Sequence, residues 1–157
     1  MERKLVKDRI PDSEYKKILE NIPICTVDLV ILNRRRVLLV YRRGGSFRDQ
    51  WFLPGGRVYK NEKLVGAAKR KALEETGLDV RIKKNLGAYE WFDKDTTFKD
   101  IKNGTHTIST VFVVETSDDD VQIKLDKTST AHKWVDKIES NLHPYVKNIL
   151  KDSQVFS

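Results

Sequence analysis

Cysteine, proline and histidine are scarce in this chain, and no long apolar run breaks up its charge: it has one cysteine, four prolines and three histidines. The lone Cys25 excludes an internal disulfide, so the fold rests on packing. No stretch approaches the roughly 20 apolar residues that a bilayer-spanning helix needs. No cleavable apolar segment follows Met1 either, and a cytoplasmic protein is the simplest expectation. Histidine chemistry has only His106, His132 and His143 to draw on. Internal repeats and low-complexity segments are absent as well.

Charge is abundant. The 157 residues suit one domain, 1–157, with a single core, and carry a formal net charge of +7. The cations gather early, at Arg34, Arg35, Arg36, Arg42, Arg43, Arg48 and Arg57. Such an excess suits a polyanionic ligand, phosphate above all. It equally suits a solvated, ion-paired surface of the kind heat-adapted proteins carry, and composition leaves the two open.

Residues 1–11 are charged and read as a loosely held arm. Asp12 or Ser13 can cap a helix through about Glu20, with Tyr15, Ile18, Leu19 and Ile22 on one side and Pro23 as its stop. The β-branched run ICTVDLVIL over 24–32 predicts a strand inside a sheet. Asp28 is its anomaly: a carboxylate there needs partners or a wet cleft, unless it merely sits at an edge. Asn33-Arg34-Arg35 reads as a tight turn into a second strand, 37–41. The cationic loop after it, with Arg42, Arg43 and Arg48, can clamp phosphate or simply face water. Later, 78–82 and 86–92 read as two short strands, 93–104 as a polar loop, 106–115 as a central strand and 117–120 as a turn. Val121, Ile123 and Leu125 alternate with polar residues, 132–135 is a last short strand, and a helix over 144–151 buries Val146, Ile149 and Leu150.

The richest stretch is WFLPGGRVYKNEKLVGAAKRKALEETGL, 51–78. Pro54-Gly55-Gly56 is loop punctuation that lets backbone approach a ligand closely. Asn61 can cap a helix over 62–76, with Leu64, Val65, Ala68 and Ala72 on its apolar side and Gly77 as a left-handed stop. Lys71, Glu74 and Glu75 fall on the opposite face, three and four residues apart. Neighbouring carboxylates beside a glycine turn suit a hard divalent cation sharing its oxygen ligands with phosphate. They suit a solvated, ion-paired helix end equally well.

The spacing Gly56, Glu62, Arg70, Glu74-Glu75-Thr76-Gly77-Leu78 resembles the Nudix box of the Nudix hydrolases. It departs from the box at Lys71, where the family has a glutamate, and only Ala72 fills the aliphatic slot. The resemblance implies an α/β/α sandwich with a mixed β-sheet. Glu62 and Arg70 would then hold loop to helix, with Gly56, Glu74 and Glu75 left as metal ligands. An ammonium in place of a carboxylate repels a neighbouring metal, which implies fewer ions: a single Mg²⁺, with Mn²⁺ the other candidate, or none in an inactive binding module.

A wider likeness, up to about Val114, is to the GDP-mannose mannosyl hydrolases, which also depart from the box at this position. It rests on SEYKKILENIPICTVDLVI, VLLVYRR, WFLPGGRV and LGAYEWFDKD. It implies that Asp28, Arg42 and Arg57 handle a nucleotide sugar and its diphosphate, and that Glu75 is the retained metal ligand. In that subfamily water attacks carbon with the help of a histidine base; the corresponding positions here are about Thr128 and Ser129, and His132 is the nearest imidazole. His106 has a counterpart there, and His143 is taken as structural. The expectation is therefore a Mg²⁺-dependent hydrolase of a small-molecule nucleoside diphosphate sugar, catalysed through Glu75, Glu74, Arg42 and His132. The resemblance also implies a homodimer that can exchange residues 1–22. Cleavage between phosphates and a metal-free nucleotide sensor are the rivals. Nucleic acid is a weaker partner, because Tyr89, Trp91 and Phe92 fit a strand and its core as well as a stacking platform.

Overall fold

The computed structural model describes residues 3–45, 47–94 and 96–157. In chain order the elements are α1 (Asp12–Asn21), β1 (Ile24–Asn33), β2 (Arg36–Arg42), β3 (Trp51–Phe52), β4 (Gly55–Arg57), α2 (Leu64–Thr76), β5 (Val80–Asp93), β6 (Thr105–Thr116), β7 (Ser129–Val135) and α3 (Pro144–Ser153). The strands form one mixed sheet in the order β3-β2-β1-β6-β5, with β4 paired to β1 and β7 to β2. β1 and β6 run parallel and the other pairs are antiparallel.

Strand alternation divides the core into two layers. Val27, Leu29 and Ile31 of β1 meet Phe112 and Val114 of β6 and the small residues Ala67, Ala68 and Ala72 of α2. Val30 with Val111 and Val113 faces the other way, onto Val146, Ile149 and Leu150 of α3. The sheet is thus enclosed between α2 and α3, giving the α/β/α sandwich. Period-two alternation puts Asp28 on the α3 side with Val30. Among the described residues no helix is long and apolar enough to cross a membrane.

Several expectations from sequence are corrected. The helix expected over 62–76 starts at Leu64; Lys63 occupies its N-cap with no side-chain cap. Asn61 instead has φ 69° and its amide donates to Lys4 O at 2.9 Å. With the bridge between Val6 and Lys60, that bond pins the N-terminal arm instead of leaving it loose. In α1 the N-cap is Pro11, not Asp12 or Ser13. Leu64 and Val65 are exposed, while Glu75 lies with Ala68 and Ala72 on the buried side of α2, not on the opposite face. The two strands expected over 78–92 are one, β5, with register shifts at Ile82/Lys84 and Asn85/Gly87 that reset its alternation. The alternating stretch 121–125 is irregular in backbone, and its Val121 and Ile123 cover the α2-side core. β7 begins at Ser129, three residues before the expected start.

The glycine turn is also more regular than expected, because Gly55–Arg57 is a strand laid against β1. A Cβ on Gly55 would fall 2.2 Å from Val27 O and 2.5 Å from Asp28 Oδ1. The close approach that needs this glycine is to backbone. Gly55→Ala is therefore expected to push β4 off β1 and cost about 3 kcal/mol, at the upper end of overpacking; urea denaturation measures it, and an unchanged midpoint would refute the account.

Candidate active site

The loop leading into α2 is clamped by one ion pair. Arg70 donates to Glu62 through Nε (2.6 Å) and Nη2 (2.9 Å), and its Nη2 also reaches Arg57 O at 2.9 Å. Glu62 in turn accepts from the Tyr59 amide at 2.9 Å, and the Arg70 guanidinium lies 4.0 Å from the centre of the Tyr59 ring. Burial works to raise the Glu62 pKa, but the Arg70 bonds and the Tyr59 amide outweigh it and hold the carboxyl below its ordinary range. The pair joins the strand that ends at Arg57 to the second turn of α2, as the sequence resemblance implied for it.

Glu75 forms the next link. Its side chain is 3% exposed; Oε2 accepts the Gly55 amide at 3.0 Å, and Oε1 lies 3.4 Å from Arg42 Nη1 and 3.2 Å from Lys71 Nζ. Arg42 is held at its other nitrogen by Leu53 O at 3.1 Å. Glu74 is half-exposed and pairs with Arg70 at 3.0 Å and Lys71 at 3.4 Å. A Cβ on Gly56 would sit 2.7 Å from Lys71 Cε and 3.1 Å from Nζ. The ammonium of Lys71 therefore stands where Gly56, Glu74 and Glu75 converge.

Beside this cluster opens a cavity of about 230 Å³. Asp28, Arg42 and Gly56 line it together with the rings of Phe47, Phe52, Trp91 and Tyr145. Phe47 stacks on Phe52 at 3.7 Å and Phe52 on Tyr145 at 5.5 Å. The Tyr145 hydroxyl donates to Asp28 Oδ2 at 2.8 Å. Burial is the main reason that the Asp28 carboxyl is raised above its ordinary value, with the Ser109 hydroxyl, the Tyr145 bond and the Arg42 charge offsetting only part of it. Burial likewise drives the Tyr145 hydroxyl upward, so it remains a donor. The indole N–H of Trp91 is buried with no partner among the described residues.

Asp28, Arg42, Gly56 and Glu75 are thus brought together, and the anomalous carboxylate in β1 is partnered and faces a cavity instead of an edge. Arg57 turns to a neighbouring cavity, where its guanidinium lies 5.3 Å from the Tyr15 ring centre and 5.9 Å from that of Tyr59. The two cavities share Thr26 and Thr107. His132 is exposed on β7 and is not among the residues lining either cavity. Thr128 does line the first, so the loop before β7 reaches the site with a hydroxyl and no imidazole. His106 stacks on Phe92 at 4.3 Å, and His143 caps α3 by accepting the Tyr145 amide. Sequence reading missed Tyr145, Phe47, Phe52 and Thr107; the Pro144-Tyr145 opening of the last helix was the one available signal, and nothing local tied it to Asp28.

The NUDIX domain model matches residues 24–152. The chain belongs to the Nudix family. It is 40% identical over 142 residues to the low-salt glycan biosynthesis protein Agl8 of Haloferax volcanii, an alignment covering 90% of this chain and 89% of that protein. It is 33% identical over 113 residues to the ADP-ribose pyrophosphatase of Methanocaldococcus jannaschii, covering 72% of this chain and 61% of the other. Among solved structures it is similar to a NUDIX hydrolase from Nitrosomonas europaea, with a TM-score of 0.67, 25% identity and coverage of 84% and 88%. The protein is an enzyme of the Nudix type.

Nudix hydrolases generally use divalent metal ions. Here Glu62, Glu74 and Glu75 already meet three cations, Arg42, Arg70 and Lys71. Among the described residues no three His, Cys, Asp or Glu side chains gather into a cluster that could hold a metal ion by themselves. This donor set does not fit a cluster of ions. Mg²⁺ is commonly held by one or two carboxylates and completed by substrate phosphates, and Glu74 and Glu75 are the carboxylates nearest Gly56 and Lys71.

Proposed function

We propose that the protein hydrolyses a nucleoside diphosphate sugar, of the GDP-mannose kind, to sugar and nucleoside diphosphate. The observation that carries this reading is the cavity, which sets an aromatic slot directly beside Arg42 and the Gly55–Arg57 strand. A slot of stacked rings suits a planar base or the face of a sugar, and a guanidinium at its end suits the diphosphate. The likeness to a glycan biosynthesis protein over 90% of the chain supports a sugar-bearing substrate.

In the proposed reaction Asp28 takes a proton from water, the water oxygen attacks the anomeric carbon, and the carbon–oxygen bond to the diphosphate breaks. Asp28 replaces His132 as the base in this scheme because it lines the cavity and His132 does not. Arg42, aimed by Glu75 and Leu53 O, neutralises charge that grows on the departing diphosphate. Arg57 serves the second half of the substrate across Thr26 and Thr107. Glu75, Glu74 and the Gly56 carbonyl are the groups that would hold a single Mg²⁺ or Mn²⁺ together with the diphosphate. Such an ion would supply further charge neutralisation. The same reading includes a homodimer that can exchange the N-terminal arm and helix.

A panel of nucleoside diphosphate sugars, assayed with Mg²⁺ and resolved by product, tests the proposal. Free sugar plus nucleoside diphosphate is expected. Nucleoside monophosphate plus sugar phosphate would move the attack to phosphorus, and no turnover of any nucleotide sugar would end the proposal.

A further inference from the structure

The geometry points to Lys71 as a built-in cation that takes the place of one metal ion and contacts the substrate diphosphate directly. Three observations carry this inference, which rests on the diphosphate reading above. The first is position. Nζ lies 3.2 Å from Glu75 Oε1 and 3.4 Å from Glu74 Oε2, and packs against Gly56, which itself lines the cavity. A positive charge at that point has the same carboxylate neighbours that a bound cation would have.

The second is donor count. An ammonium has three N–H groups; among the described residues one is donated to Glu74 Oε2, and ion pairing with Glu75 Oε1 at 3.2 Å occupies at most a second. The third is left for a phosphate oxygen. The Lys71 side chain is 14% exposed, so it is reachable, and Glu75 lies beneath it at 3%. The carboxylates thus act as a seat that aims the ammonium outward.

The third is charge balance. With Arg42, Arg70 and Lys71 against Glu62, Glu74 and Glu75, the cluster is neutral with no ion bound. A glutamate in place of Lys71 would make it more negative by two charges, the condition under which a divalent ion is needed before a diphosphate can approach. Lys71 removes that condition. Diphosphate binding in this enzyme is accordingly much less dependent on metal than it would be with a carboxylate at position 71.

Calorimetric titration of inorganic pyrophosphate, ADP and GDP, with Mg²⁺ or with chelator, tests this on the intact protein. For the wild type, affinity for at least one of the three in chelator is expected within about tenfold of that with Mg²⁺. Lys71→Met is expected to lose at least about tenfold in chelator, and Lys71→Arg to keep the affinity. Lys71→Glu should bind only with metal, and Mn²⁺ titration followed by paramagnetic resonance should show one more ion bound than in wild type. Wild-type binding abolished by chelator, a Lys71→Met variant that binds as wild type in chelator, or no binding of any of the three in either condition would overturn the inference. Chelator-resistant pyrophosphate binding with no turnover of nucleotide sugars would instead overturn the substrate proposal and leave Lys71 in its role.

Discussion

Asp28→Asn is expected to lower kcat by about 10²–10⁴-fold, the usual contribution of a positioned general base, while raising the melting temperature at pH 7. The two effects have one cause. Burial dominates the environment of Asp28 and raises its pKa above the ordinary 3.8, with Ser109, Tyr145 and Arg42 only partly opposing and Glu75 adding to the rise. A carboxyl that ionises less readily in the fold than in the unfolded chain favours folding while it is protonated, and that contribution is lost as the pH climbs through the raised value. Above that value an ionised Asp28 therefore opposes folding. Asparagine removes the charge and keeps an oxygen for the Tyr145 hydroxyl, so the packing of α3 on β1 survives. The gain in melting temperature should shrink toward pH 4. The acid limb of the wild-type rate profile should lie above the ordinary carboxylate range, because the base must be ionised to act. A variant with wild-type turnover would remove Asp28 from the mechanism, and one that melts lower at pH 7 would contradict the electrostatic account.

Asp28 also shows how far sequence reasoning reaches. A carboxylate inside an apolar β-branched run signalled a cleft, because its desolvation has to be compensated. Its partner could not be read, since Tyr145 is 117 residues away and only the docking of α3 brings it there. The helix and its stop at Gly77 were legible from spacing, and the β1–β2 hairpin from its turn residues, which take φ of 48° and 68° at Arg34 and Arg35. The face of that helix was misread. Leu64 and Val65 suggested one apolar side, but the sheet accepts only the small Ala67, Ala68 and Ala72 and then admits Glu75, whose charge is met by Arg42 and Lys71. Hydrophobic periodicity cannot register a buried carboxylate whose partners come from other elements. The substitution at position 71 was visible as a departure from the Nudix box. Where its ammonium lands, against Gly56 and between two carboxylates, depends on β4 lying flat on β1, a packing detail that the glycine pair alone does not specify.

Glu75→Ala is expected to be the most damaging single change to the fold and to lower activity as well. It removes an acceptor from the Gly55 amide and leaves two cations, Arg42 and Lys71, facing each other across the space it vacated. Removing one partner of a buried pair costs about 3–5 kcal/mol because the remaining charge is uncompensated, which for a domain of this size is a drop of about 10 °C in melting temperature. Glu75→Gln separates stability from chemistry. Its carbonyl can still accept the Gly55 amide, but its NH₂ then meets the donors of Arg42 and Lys71, so the cost falls to about 1–3 kcal/mol, that of unsatisfied buried polar groups. Arg42 loses its aim, and activity should fall about 100-fold, as when a supporting group is removed from a catalytic site. Combining Glu75→Gln with Lys71→Met removes one of the stranded charges, so the double variant should be more stable than Glu75→Gln alone, with a coupling of about 0.5–3 kcal/mol in a double-mutant cycle. Urea denaturation at constant slope measures all four corners of that cycle. Strict additivity would mean that Lys71 and Glu75 do not interact, and the seat proposed for the ammonium would have to be abandoned.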